Sequence, residues 1–473
     1  EKRGHYGQEI HEALVGAGLY RMGTPKKYGG LEADMATYAR LIIEISRGDP
    51  STGWCWCLGH NHNLTTAAHW PAAAQDEVFQ QPGGYFRSSH SVAGNVVAVP
   101  VDGGFRVDGR SPYQSGVPYS THVTVNAVLE GRFKPDGTPV MICAIIPIDE
   151  VEVLDDWGGD RTIGMRGSGS NSVVVRDVFV PEHRTCLFDW MDHPYDGTSP
   201  GVELHGNPLY LGPVAGYFHL GLGAIAVGAA YAAVDEYEHI ISTRSLPFDP
   251  TQLRRDDPMH QADFGRALSM AEAAEAIIVR VGERFMEFAT DAVERGVPFT
   301  MEMDGRLYGM AARAGEMASE AVDLLFRSAG SAAATRGHSM ERYYRDVAMY
   351  RGHGASQYAS AAMKLGQIRL GLRDRPIGPP TTNRGKDFVG RPAGQPRKSF
   401  PQFAGWASGR QPMKPLFCSH LVAVSGGRRP SMSTWEFSDR IPLVSSALAT
   451  GLSTFAMFGL ASSTCLRMLT AGL

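Results

Sequence analysis

The sequence predicts an α+β protein made of three successive parts: an N-terminal α-helical domain, a central antiparallel β-domain and a C-terminal four-helix bundle. Three observations carry that prediction. Near the N-terminus, Met35, Tyr38, Leu41, Ile42 and Ile45 recur at the spacing of one helical face. From about Gly83 the chain turns to short runs of Val, Ile and Thr broken by Gly and Pro, the pattern of strands and tight turns. After about Gly212 come four long, Ala-rich, amphipathic segments with short connections.

Each element can be justified in turn. Gly48-Asp49-Pro50 ends the first well-marked helix, and Ser51 is placed to cap a second that carries Trp54, Leu58, His62 and Thr65 on one stripe. Pro71 opens a further helical segment. Strands are expected at Val96–Val99, Gly104–Val107, His122–Val125, Met141–Ile146 and Ser172–Val175, with turns at Asp102-Gly103-Gly104 and Pro135-Asp136-Gly137. The bundle helices are expected at Leu220–Ile241, Met259–Arg295, Met303–Ser328 and Met340–Leu372. This gives domains at 1–84, 85–204 and 205–373. Residues 374–473 form an irregular tail rich in Pro, Gly, Arg and Ser, with roughly 12 Lys/Arg against about 4 Asp/Glu. Its uncharged stretch Ile441–Cys465 is long enough to span a bilayer, but Ser, Thr and Gly fill about half of it, so a membrane anchor is not expected.

Bulk composition narrows the function. A net charge of −4 gives no reason to expect nucleic acid as a partner. Six scattered cysteines (Cys55, Cys57, Cys143, Cys186, Cys418, Cys465) make no disulfide framework, and the chain opens without a charged-then-apolar secretion signal; a reducing cytoplasm fits best. Walker, Rossmann and nucleophile-elbow signatures are missing, and His60-Asn61-His62 lacks companions for a metal. A cofactor should therefore supply any chemistry.

Several strings resemble the acyl-CoA dehydrogenase superfamily. The run Trp157–Pro181 (WGGDRTIGMRGSGSNSVVVRDVFVP) is similar to the segment that leads into the last strand of that family's central β-barrel. Gly109-Arg110-Ser111-Pro112-Tyr113-Gln114-Ser115-Gly116 resembles its flavin-side string, with Tyr113 where a Trp is usual and Ser115 at the hydroxyl position. Thr243-Arg244, and Phe326–Asp346 with Gly330 and an E-R-x-x-R-D helix start, resemble its bundle. The likeness runs over roughly residues 5–373. It implies an acyl-CoA dehydrogenase-like fold, a homotetramer in which Arg244 and the Gly330 loop complete a flavin site across a subunit boundary, and flavin contacts from Tyr113, Ser115 and Arg166.

Within that superfamily two absences and two matches point to one branch. A dehydrogenase needs a carboxylate to take the substrate α-proton, yet Asp346–Gly354 and Phe218–Leu222 hold no acid where the family keeps one. His353 stands there instead. The pattern R-D-x-x-x-x-R-x-H, with Ser51-Thr52-Gly53-Trp54 and His62 eleven residues after Ser51, resembles the two-component flavin monooxygenases: hydroxyphenylacetate, hydroxy-steroid-phenol and dibenzothiophene monooxygenases. The resemblance implies an oxygenase component that takes reduced FMN or FAD from a separate NAD(P)H:flavin reductase, forms a C4a-(hydro)peroxide with O2, and hydroxylates a small aromatic substrate. Ser115 would accept from flavin N5–H. His353 would supply charge or a proton, since imidazole titrates near neutral pH, and His62 would orient or deprotonate a phenol. The rival readings stay open at this point: packed or surface histidines, Ser115 as a turn residue, Arg244 as a helix-end charge, an acyl-CoA dehydrogenase or oxidase with an unrecognised base, or a noncatalytic chain. Trp54, Phe86, Tyr210 and Phe218 are candidates for an aromatic pocket or for core.

Overall fold

The computed structural model describes residues 1–372 apart from 82–84, 136, 188–197 and 212. The predicted basic tail and its uncharged stretch lie outside the described residues, as do Cys418 and Cys465.

The N-terminal part is helical: α1 (Gln8–Gly16), α2 (Met35–Gly48), α3 (Pro50–His69) and α4 (Ala72–Phe79). In α2 the expected stripe is the buried one, with Met35, Tyr38, Ile42 and Ile45 inside. The cap of α3 differs from expectation. Asp49, not Ser51, is the N-cap: its carboxylate accepts the Thr52 N–H at 2.8 Å and the Thr52 hydroxyl at 2.7 Å, and Pro50 fills the first helical position. A carboxylate at a helix N-terminus satisfies an orphan donor and meets the positive end of the dipole, which a buried Ser51 cannot do as well. From Pro50 to Ala68 every residue of α3 is buried, so this helix is surrounded by protein and its functional side chains project into the interior.

The central part is one seven-stranded sheet, ordered β5-β6-β2-β1-β3-β4-β7. Its members are β1 (Ser88–Val101), β2 (Gly104–Ser111), β3 (His122–Phe133), β4 (Pro139–Pro147), β5 (Glu152–Val153), β6 (Val173–Pro181) and β7 (Thr185–Cys186). Two expectations are corrected. The β1–β3 pair is parallel, because β2 leaves β1 as a hairpin on one side and β3 crosses back to pair on the other. The pairing order also leaves β5 and β7 unjoined, so among the described residues the sheet is open where a barrel was expected. Along β1 the register against β3 slips between Ser91 and Val96: Ser91 pairs with Val125 and Val96 with Ala127. Such a bulge bends the strand and re-aims side chains, and here Val92 and Ala93 turn into the cavity described below.

A short helix, α5 (Pro200–His205), precedes the C-terminal helices α6 (Val214–Thr243), α7 (Pro258–Arg295) and α8 (Met301–Ala329), which pack on one another. A small hairpin, β8 (Ser245–Leu246) and β9 (Asp249–Leu253), joins α6 to α7. Asp257 caps α7 by accepting the His260 N–H at 3.0 Å, and Thr300 caps α8. Most of α6 is apolar and buried by its neighbours; it is the one helix among the described residues long and apolar enough to cross a membrane. The fourth predicted helix, Met340–Leu372, is instead broken into α9 (Ser339–Gly352) and α10 (Tyr358–Arg369). Gly352-His353-Gly354 makes the break, since two glycines favour leaving the helix and the His353 ring accepts the Ala355 N–H at 3.3 Å to start a 3-10 turn.

Candidate active site

Helix α3, strand β1, the 109–116 turn, the 157–170 loop, α6, α8 and the α9–α10 break surround a cavity of about 690 Å³. That volume is in the range that holds a cofactor ring and a small ligand. His62, His353, Ser115 and Tyr113 all line it, together with Trp54 and Phe218. Phe86 and Tyr210 are buried elsewhere, at 3% and 0% exposure, and belong to the core. Arg166, Arg244 and Gly330 do not line the cavity.

Trp54 ties the two ends of the predicted machinery together. Its indole N–H donates to Ser115 Oγ at 3.1 Å, and its ring meets the His353 ring edge-on with centroids 5.3 Å apart. Ser115 Oγ is also hydrogen-bonded to Ser170 Oγ at 2.8 Å, and Ser170 to Ser168 Oγ at 2.7 Å. Either serine can donate in the Ser115–Ser170 pair; when Ser115 donates there while accepting from Trp54, it keeps a second lone pair for a ligand N–H. All three serines line the cavity.

The 109–116 turn holds its shape through a residue that no sequence motif marked. Arg87 is fully buried, and its guanidinium donates to the carbonyls of Cys55 at 2.9 Å, Ser115 at 3.2 Å and Gly116 at 2.6 Å, and to Ser120 Oγ at 2.6 Å. Gly116 sits at φ +71°, and a Cβ there would fall 1.9 Å from Arg87 Nη2, so only glycine fits. Nothing in the sequence distinguishes Arg87 from a surface arginine; only the tertiary fold wraps four acceptors around it.

The tautomers of the two histidines follow from their partners. His62 Nδ1 lies 2.9 Å from the Ser88 carbonyl, so it carries the proton and leaves Nε2 as an acceptor. Burial, with a contribution from His90, holds the His62 pKa well below the usual imidazole value. The His90 ring lies edge-on to it at 5.3 Å and is anchored by Asn126 Oδ1 at 2.7 Å. His353 has the opposite arrangement: Nδ1 accepts from the Ala355 N–H, so the neutral ring presents Nε2–H as a donor. Solvent reaches His353, but the concave wall around it displaces enough water to push its pKa down to about 4. Of the two expected contributions of His353, charge or a proton, the lowered pKa favours a neutral ring that offers its Nε2–H.

On the other wall, Tyr113 takes φ +60° and is 58% exposed, with its ring edge-on to Trp157 at 6.1 Å. Trp157 donates its indole N–H to the Met165 carbonyl at 3.1 Å. The Met165 N–H donates to Asp346 Oδ1 at 2.6 Å, which binds the loop to α9. Asp346 is raised to about 7 by burial, with Asp49 adding to the effect. Arg166 turns back on its own loop, donating Nε–H to the Thr162 carbonyl at 2.9 Å. Arg244 meets His338 Nε2 at 3.2 Å, and Gly330 ends α8 at φ +82° beside Ala329, whose carbonyl accepts from Arg254 at 2.8 Å. Sequence reasoning missed His90, His219, Tyr308 and Lys364 as cavity residues. Lys364 did leave a signal, since it falls three residues after the buried Ala361 on the inward face of α10.

None of the described lining residues is an Asp or Glu. The cavity thus offers hydroxyls, a neutral donor, a neutral acceptor and the side chain of Lys364 in largely apolar walls, with no carboxylate among the described lining residues for removing a carbon-bound proton.

The models for the acyl-CoA dehydrogenase N-terminal and C-terminal domains match residues 1–79 and 220–358. The flavin-dependent monooxygenase oxygenase subunit HsaA of Rhodococcus jostii is 31% identical over 362 residues, covering 76% of this chain and 91% of that protein. The p-hydroxyphenylacetate 3-hydroxylase oxygenase component of Acinetobacter baumannii is 26% identical over 76% of this chain and 82% of its own length. The solved structure of XiaF from Streptomyces sp. in complex with FADH2 and glycerol superposes with a TM-score of 0.70 at 26% identity, over 80% of this chain and 91% of that one. The chain belongs to the oxygenase-subunit family of flavin-dependent monooxygenases, oxidoreductases built on the acyl-CoA dehydrogenase fold.

Proposed function

We propose that this chain is the oxygenase component of a two-component monooxygenase that takes reduced FMN or FAD from a separate NAD(P)H:flavin reductase and hydroxylates a small, phenolic or polycyclic aromatic substrate. The observation that supports it most strongly is that His62, Ser115 and His353, drawn from three distant parts of the sequence, line one acid-free cavity. Reduced flavin, when bound, supplies the electrons that activate O2. One oxygen atom enters the substrate and the other leaves as water.

The chain's own residues do the rest. Tyr113, Ser115 and Trp157 would hold the flavin ring, with the Ser115–Ser170–Ser168 hydroxyls accepting from its N–H. His353 would donate Nε2–H to the oxygen being activated, a preorganised dipole in place of a mobile charge. His62 Nε2 would accept the phenol O–H and raise the electron density of the ring. Trp54, Leu58, Val92 and Phe218 would exclude water. Arg166, Arg244 and Gly330 would serve the phosphate side of the flavin, the last two across a subunit boundary in a homotetramer. We assign the helical domain to 1–84, the β-domain to 85–204, the four-helix bundle to 205–373 and an appendage to 374–473. Four free cysteines among the described residues support a cytoplasmic location.

The test supplies the full chain with O2, a panel of phenols and reduced flavin regenerated by an NAD(P)H:flavin reductase. Hydroxylated product is expected, with FMN and FAD compared directly. Anaerobic bleaching of bound flavin by an acyl-CoA, with no product in the first assay, would establish the dehydrogenase alternative instead.

A further inference from the structure

The bundle side of the cavity carries an imidazole that the proposed chemistry leaves unused. His219, on α6, lines the cavity and packs on the Tyr308 ring with centroids 3.6 Å apart. Its Nδ1 lies 2.6 Å from the Ala215 carbonyl one turn earlier in the helix; a carbonyl only accepts, so Nδ1 carries the proton and Nε2 is an acceptor. That Nε2 has no hydrogen-bond partner among the described residues and is not sealed inside the protein. Burial, with Lys364 and His353 adding to it, lowers the His219 pKa to about 3, so the ring stays neutral and Nε2 keeps its lone pair. Lys364 on the same wall has its own partner within the protein, and the group with unused capacity here is the uncharged imidazole.

His62 reaches the cavity in the same state, with its Nδ1–H held by the Ser88 carbonyl at 2.9 Å and Nε2 left as an acceptor. The Phe218 ring centroid is 6.3 Å from that of each imidazole, which puts both acceptors within reach of one small aromatic molecule. When a ligand fills an apolar cavity, an acceptor left unmet costs binding, so a ligand that brings a donor is favoured over one of the same shape that lacks it. We propose that His219 is a specificity-determining residue of the substrate pocket: its Nε2 accepts from a second O–H or N–H of the aromatic substrate, distinct from the phenol that His62 receives. The substrate class is then an aromatic with two separated hydrogen-bond donors. The inference rests on the proposed aromatic hydroxylation. Flavin also carries N–H groups, but the residues assigned to its ring, Tyr113, Ser115 and Trp157, come from the β-domain and its loops, whereas His219 comes from α6.

The experiment loads the full chain anaerobically with reduced FMN and titrates it by calorimetry with two shape-matched pairs: hydroquinone against para-cresol, and 4,4'-dihydroxybiphenyl against 4-hydroxy-4'-methylbiphenyl. In at least one pair the diol is expected to bind about fivefold more tightly than the methyl analogue, although methyl is the more apolar group. His219→Phe keeps a ring on Tyr308 and should erase that preference by weakening the diol alone; His219→Gln, which retains an acceptor, should keep part of it. If His219→Phe does not fold, His219→Leu gives the same comparison. Methyl analogues that bind the unaltered protein as well as the diols in both pairs overturn the proposal. So does a His219→Phe protein that loses affinity for diol and methyl analogue alike, or one that loses reduced FMN while its diol-to-methyl ratio is unchanged. Absence of hydroxylated product from all four compounds under O2 would sink the oxygenase reading and leave the binding ratio standing, whereas normal product with equal binding would sink the role of His219 alone.

Discussion

Trp54 donates one hydrogen bond to Ser115 and presents its ring to His353, so a single side chain sets the distance between the two ends of the proposed machinery. Trp54→Phe keeps the ring packing and deletes the N–H. It should cost about 1 kcal/mol of stability and shift the outcome from hydroxylated product towards hydrogen peroxide, read as the product-to-peroxide ratio. His62 gives a pH signature. Its folded pKa lies well below 6.5, so above that pH both folded and unfolded forms are neutral and it contributes nothing; as pH falls below about 6.5 the unfolded chain takes up the proton first. Stability should then decline by up to about 1.4 kcal/mol per pH unit for this one group. His60 and His219, both lowered to about 3, act in the same direction. His62→Gln should make chemical-denaturation stability fall less steeply between pH 6 and 5, and an unchanged slope would remove His62 from this account. At this scale the sequence was informative about residue identity: Ser115, His62 and His353 were legible as candidates. Their tautomers were not, because these depend on a Ser88 carbonyl and an Ala355 N–H that only the fold brings within reach.

Among the elements, α3 and the α9–α10 break position the site. Helix α3 carries Trp54, Leu58 and His62 into the cavity from a start fixed by Asp49, whose carboxylate also lies 3.6 Å from Arg342. Asp49→Ala should lower stability by about 1–2 kcal/mol, measured by denaturant titration, with a smaller loss for Asp49→Asn. At the break, His353 is both a cap acceptor for the Ala355 N–H and the proposed donor, and two substitutions separate these roles. His353→Ala should lose about 1 kcal/mol of stability as well as product formation; His353→Asn should recover stability while product formation stays at least tenfold down, since Asn lacks the reach of an imidazole. Recovery of activity by Asn would reduce His353 to a structural cap. Helical periodicity located α2, α6, α7 and α8 well, but it read one helix from Met340 to Leu372, because the apolar spacing continues through a break that two glycines and a side-chain cap impose. Strand alternation likewise found β1 to β4 and β6, yet it missed the two-residue strands β5 and β7, which are too short to show a period.

For the whole molecule, the proposed tetramer makes the flavin site depend on assembly. Arg244→Ala touches nothing in the cavity and should leave affinity for a phenolic ligand unchanged while weakening reduced-flavin binding about tenfold or more, with the loss tracking dissociation of the oligomer in sedimentation. Full flavin affinity in a monomeric preparation would remove the subunit boundary from the proposal. By itself the sequence determined the succession of helical, β and helical parts and the residue types that distinguish an oxygenase from a dehydrogenase, because periodicity and local motifs are properties of neighbouring residues. Only the tertiary structure decided that β1 pairs in parallel with β3, that the sheet is open among the described residues, that Arg87 supports the Ser115 turn from inside, and that Lys364 and Tyr308 face the same cavity as His353. Those facts come from contacts between residues tens to hundreds of positions apart, where burial rather than local spacing sets hydrogen bonding, charge and pKa.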